Sequence, residues 1–294
     1  MKTPCNLVPL AMLVALLGAA AAPAADVTLQ AREILSRAQK SIITVNALNK
    51  LEMGGNNLSS QEASCTGLVI DASGLTVVSY SALNPMERLA AAVKVRRSAS
   101  GGGSGEAVKV KADLSRIQMR LEDGTEVPAL IVLKDKELDV AFLVPDPKEG
   151  DKVPPFTAVK MSSGGAVKEL DEVVAISRHA KDLGYQPIVT MGQVASLITK
   201  PRKMYDLSVA PRPGSPVFLL NGQLLGVAIT FGGESMSLSA RETLVLPVLE
   251  ITKLADQARE AAAKKSKEQK KKEDTKDSSA RDTRPCRNSG SQPS

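Results

Sequence analysis

Tryptophan is absent from this chain, histidine occurs once, cysteine three times, and aromatic residues make up 2% of its 294 residues. Cysteines as scattered as Cys5, Cys65 and Cys286, with His179 as the lone imidazole, leave no cluster of four ligands for zinc. No metal or other cofactor is expected. Sparse aromatics remove the stacking platforms that single-stranded nucleic acid needs. Basic charge is also missing from most of the chain. From Lys264 onward ten Lys or Arg against five Asp or Glu supply +5 of the formal +6, and Lys2 supplies the rest. The part between is close to neutral, which argues against binding a phosphate backbone, so nucleic acid is not an expected partner.

Apolar residues make up 43% of the chain, enough to bury a sizeable core in one domain of about 200 residues. Residues 1–25 read as a secretory signal, with Lys2 as the positive end, Leu7 to Leu17 as the apolar stretch and Ala22-Pro23-Ala24 as the small-residue cleavage pattern. The expected location is periplasmic or secreted, with no membrane span once the signal is removed. Cys5 leaves with it. Cys65 and Cys286 read as two unrelated thiols, although an oxidising compartment would permit a bond between them. Residues 26–262 are expected to fold, and 263–294, rich in Lys and Ser, to be a disordered tail.

Within the folded part, Leu29 to Lys40 has helical spacing with Thr28 as a cap, and Ser41 to Leu48 reads as a strand before a polar loop from Gly54 to Ser64. Two apolar strands from Thr66 to Leu83 meet at a turn over Asp71 to Gly74. Met86 to Ala92 has helical character, and Ser98 to Gly105 is a Gly/Ser-rich insertion. Glu122-Asp-Gly-Thr125 turns a hairpin between Ser115–Leu121 and Val127–Leu133. After a Pro-rich connection, Asp171–Ile176 and Ile188–Ile198 read as strands. Val217–Leu220 and Gln223–Phe231 form a buried hairpin across Asn221-Gly222, entered through Pro211-Arg-Pro-Gly-Ser-Pro216. Val248 to Lys264 follows Pro247 as an amphipathic helix.

In this order the segments resemble trypsin-like serine proteases of the HtrA/Deg type. Thr66-Gly-Leu-Val-Ile with Gly74-Leu-Thr-Val-Val-Ser-Tyr-Ser resembles the strand pair that ends in the family's catalytic histidine. Asp135-Lys-Glu-Leu-Asp-Val-Ala-Phe-Leu resembles the segment with its triad aspartate, Ile188 to Ile198 a strand of its second barrel, and Pro213-Gly-Ser-Pro-Val its nucleophile turn. The resemblance covers about Leu29 to Arg259 and implies an all-β fold of two six-stranded antiparallel barrels, with a short helix at the start and another at the end. No PDZ segment follows.

Residue by residue, the resemblance puts the triad histidine on Ser81, the aspartate on Asp139 and the nucleophile on Pro213. Serine cannot act as a general base near neutral pH, and proline has no hydroxyl. The implied protein is an exported pseudoprotease that holds a peptide or protein in the cleft between the barrels, with Asp139 kept for structure. The competing reading is an active endopeptidase with Ser215 as a displaced nucleophile. His179, in a loop after a second-barrel strand, is not placed to be its base. The oligomeric state and the identity of the partner are not readable from the chain.

Overall fold

The computed structural model describes residues 22–53, 56–91, 110–147, 151–162, 165–232 and 242–281. Helix α1 (Ala22–Ala38) and a 3-10 turn lead into β1 (Ile42–Met53) and β2 (Asn56–Val69). Then come β3 (Thr76–Ser79), the single turn α2 (Tyr80–Leu83), β4 (Val110–Arg120), β5 (Glu126–Asp135) and β6 (Val140–Pro145). The second half contains β7 (Glu172–Arg178), β8 (Pro187–Ile198), β9 (Met204–Leu207), β10 (Pro216–Leu219), β11 (Leu224–Phe231) and β12 (Glu242–Pro247), and ends in α3 (Val248–Arg281). The strands close into two six-stranded barrels, ordered β1-β2-β3-β6-β5-β4 and β10-β11-β12-β9-β8-β7, with every pairing antiparallel. This is the implied architecture.

Period-2 alternation sorts the apolar residues. Ile43 and Val45 of β1 join a cluster to which all six strands of the first barrel contribute, including Val78, Met119 and Leu143. Val173, Val194, Tyr205, Val217, Leu225 and Val245 do the same in the second. Ile42, one residue out of phase with Ile43, belongs instead to a third cluster. There Phe142 and Leu68 of the first barrel meet Phe218 and Leu224 of the second, beneath Ile34 of α1 and Ile251, Ala255 and Ala258 of α3. The faces that turn out of each barrel therefore make the core between them.

Arg178 adds a polar tie across the same seam. Its backbone N–H donates to Thr66 Oγ1 (3.0 Å), and its guanidinium to the carbonyls of Ile42 (2.6 Å) and Gln39 (2.8 Å).

Three segments differ from the sequence reading. The expected loop from Gly54 to Ser64 is strand from Asn56 onward, paired with β1 from Met53↔Asn56 to Ile42↔Leu68 with one register shift between Leu51 and Glu52. Backbone hydrogen bonds to β1 carry this polar segment, which has no apolar pattern to announce it. Helix α1 begins at Ala22, so Thr28 lies inside the helix and is not its cap. Pro23 sits in the first turn, where its missing N–H is tolerated, and the helix crosses the expected boundary between residues 25 and 26. At the other end α3 continues past Lys264 to Arg281, into the segment whose composition reads as a disordered tail. Its Ala, Lys, Glu and Gln are strong helix formers, so charge did not prevent the helix from continuing. Residues Ser98–Gly105, most of the first 25 and Cys286 lie outside the described residues. Among the described residues no helix is long and apolar enough to cross a membrane.

Candidate active site

The Asp135 carboxylate accepts the N–H groups of Glu137 and Leu138, both at 3.0 Å. This Asx turn delivers Asp139 to the start of β6 with φ of 53°, a conformation that Asp tolerates better than most residues. Asp139 is only 3% exposed. Its Oδ2 accepts the Ser79 hydroxyl (2.7 Å) and the Thr230 N–H (2.8 Å), and its Oδ1 accepts the Ser81 N–H (2.7 Å). The Arg88 guanidinium lies 3.7 Å from Oδ1. Tyr80 donates its N–H to the Asp139 carbonyl (3.0 Å). Ser79 and Ser81 belong to the first barrel and Thr230 to β11 of the second, so one buried carboxylate joins the two.

Ser81 thus stands against Asp139 where the resemblance puts a histidine, but it meets the carboxylate through its backbone. Its hydroxyl is 3.3 Å from Ser79 Oγ and 3.4 Å from Thr230 Oγ1. Ser79 Oγ also accepts the Ala82 N–H (3.2 Å), capping α2. Hydroxyls, backbone amides and the Arg88 guanidinium surround the carboxylate. None of them exchanges a proton near neutral pH, as a general base must.

The turn before β10 is fixed by backbone constraints. Gly214 has φ of +89°, and a Cβ there would lie 2.6 Å from the Thr66 carbonyl oxygen. Its N–H donates to Ala228 O (2.7 Å), and the Ser215 N–H to Arg212 O (3.1 Å). Pro211, Pro213 and Pro216 have no N–H at all. Across residues 211–216 only Arg212 keeps an amide outside these constraints, whereas an oxyanion hole needs convergent donors. Ser215 is 1% exposed and its hydroxyl donates to Arg212 O (2.6 Å). His179 lies in the β7–β8 connection with its N–H on Gln186 O (2.9 Å). No interaction among the described residues joins its imidazole to Asp139, Ser81 or Ser215. Asp139 and Ser81 are brought together; Ser215 and His179 are not joined to them.

Cys65, on β2, is free and buried. Burial pushes its thiol up to about 12, and the charge of Asp139 adds to the effect. Native protein at pH 8 should therefore leave Cys65 unmodified by iodoacetamide over a time in which denatured protein reacts fully, as peptide mass mapping would show. The sign of the linkage is definite. The unfolded thiol ionises near 9 and the native one near 12, so stability is undiminished below pH 9 and falls as pH rises from there toward 12. Melting curves across that range should fall less steeply for Cys65→Ala than for the parent.

Sequence reasoning missed Ser79, Thr230 and Arg88 as partners of the carboxylate. Ser79 precedes Ser81 by two residues and could have been suspected as a cap; Thr230 is distant in sequence and carries no local signal. Residues 65–227, more than half of the chain, match the family model for a trypsin-like peptidase domain. Comparison with curated proteins gave no match.

Proposed function

The chain belongs to the trypsin-like peptidase domain family, and from that membership we propose that it is an exported, non-catalytic member that binds an extended peptide or protein segment in the cleft between its barrels. One observation carries the loss of catalysis: the turn that would present the nucleophile has Pro213 at that position, and of the amides around it only that of Arg212 is neither absent nor already donated. Ser81 beside Asp139 supports it independently, because no base stands on the carboxylate. Triad removal alone leaves a small residual rate that depends on the oxyanion hole, and here the hole lacks donors as well.

The binding reading rests on the retained trypsin-like scaffold. Beyond its last pairing with β10 at Pro216↔Val227, strand β11 is met by the turn before β10, with Ala228 bonded to Gly214 and Ser215, and by Asp139, which takes the Thr230 N–H; an added segment would have to displace these bonds or use another edge. The HtrA/Deg affiliation rests on the Gly67–Gly74 strand pair and on Gly192 to Val194. Export rests on the composition of residues 1–25.

The alternative, an active endopeptidase using Ser215, would require that hydroxyl to leave the Arg212 carbonyl and find a base. A fluorophosphonate probe separates the readings. Folded mature protein should show no labelling beside a trypsin-like control, and Ser215→Ala should look the same. Stoichiometric labelling that vanishes in Ser215→Ala would overturn the non-catalytic reading.

A further inference from the structure

A second feature of the inter-barrel seam is separate from the Asp139 network. A polar cavity of about 320 Å³ is lined by Thr44 of β1, Arg120 at the end of β4, Glu122 of the β4–β5 turn, and Arg178 and Tyr185 of the second barrel, among others. Thr44 points the opposite way from Ile43 and Val45, which enter the barrel core. It is 2% exposed and its hydroxyl has no partner. Buried hydroxyls are nearly always bonded, so this one marks a place for another polar atom.

The charges around the cavity say which kind. Arg178 gives three guanidinium bonds, to the neutral carbonyls of Gln39 (2.8 Å), Ile42 (2.6 Å) and Tyr185 (3.3 Å), out of the five N–H groups an arginine carries. Among the described residues no carboxylate lies within ion-pair distance of it. Burial depresses its pKa, opposed by the charge of Glu122, which is near enough to act but not to pair. Arg120 stacks over the Tyr185 ring at 4.5 Å and pairs with Glu126 at 3.1 Å. Two guanidinium groups and a buried hydroxyl therefore line one cavity, and a half-buried cation lacks a contacting counter-ion, although such charges are normally paired.

We propose that this cavity binds a small oxyanion, a carboxylate or phosphate group, held by the uncommitted N–H groups of Arg178 and by the Thr44 hydroxyl, with Arg120 on the same wall. The bound group would link β1, the β4–β5 turn and the β7–β8 connection, so its binding would stabilise the barrel pair. Glu122 is the group that opposes it.

The test is thermal melting and isothermal titration of the full mature chain with inorganic phosphate and with succinate, ionic strength being held constant with sodium chloride. At least one anion should bind saturably in the titration and raise the melting temperature with the logarithm of its concentration, on the order of 5 °C at a hundred times Kd; which one does so separates phosphate from carboxylate. Thr44→Val keeps the shape while removing a buried unpaired hydroxyl, so the ligand-free melting temperature should hold or rise, whereas affinity should fall about tenfold. Glu122→Gln should tighten binding roughly two- to fivefold. Arg178 also holds the barrels together and is left intact. Absence of saturable heat in the titration, with no melting shift beyond that of chloride, overturns the proposal. So does affinity unchanged in Thr44→Val, which would place the anion elsewhere.

Discussion

Asp139→Ala is expected to destabilise the protein by about 4 kcal/mol, read from chemical denaturation, although no catalytic role is assigned to the carboxylate. The substitution leaves the buried Ser81 amide and Ser79 hydroxyl and the half-buried Thr230 amide without the acceptor they share. It also places alanine at φ of 53°, which adds about 1 kcal/mol. Asp139→Asn should cost roughly half as much. Asparagine tolerates the left-handed conformation and keeps one acceptor oxygen, but its amide nitrogen turns donor against donor. A loss under about 1 kcal/mol in Asp139→Ala would mean that the carboxylate is not the tie between barrels that its partners imply. The ordering of the two variants matters as much as the size, because a merely space-filling residue would not favour Asn.

The second large effect is at Gly214. Gly214→Ala should cost about 3 kcal/mol and lower the melting temperature by about 6–12 °C. The new Cβ would lie 2.6 Å from Thr66 O and 3.4 Å from Ser79 N. Both are backbone atoms of the first barrel, pinned by the β1–β2 and β3–β6 pairings, so relief would have to come from moving one barrel against the other. The φ of +89° is strained for alanine whatever the space. Gly165→Ala is the matched control: a Cβ there meets nothing within 4 Å, and the change should stay within about 0.5 kcal/mol. Equal effects at the two sites would remove the argument from close approach.

These sites show that a turn and a carboxylate at such positions have structural roles that do not depend on catalysis. Gly214 is required by the Thr66 carbonyl, and Asp139 by amides from both barrels; neither requirement involves a histidine or a nucleophile. Ser81 and Pro213 carry no comparable constraint through their side chains. The Ser81 contact with Asp139 is made by its amide, which any residue but proline supplies.

The strands with clear alternation or turn chemistry were legible from the chain. Thr76–Ser79, Val140–Pro145 and Leu224–Phe231 are apolar runs bounded by Gly, Asp or Asn turns, and their order carried the family resemblance that implied two barrels. The resemblance to trypsin-like proteases placed Asp139 and Ser81 at two positions of one triad, and the structure brings them together. Other features were decided only by the tertiary structure. The polar half of β2 is a strand because β1 offers it a hydrogen-bonding edge, and backbone pairing leaves no mark on side-chain pattern. Thr230 reaches Asp139 from 91 residues away, and Arg178 reaches Gln39 from 139. A period of two fixes which face of a strand turns inward, but not which barrel wall that outward face will meet. The inter-barrel core, the amide cradle around Asp139 and the cavity beside Thr44 all arise where two such outward faces come together, so each needed the packed structure to be seen.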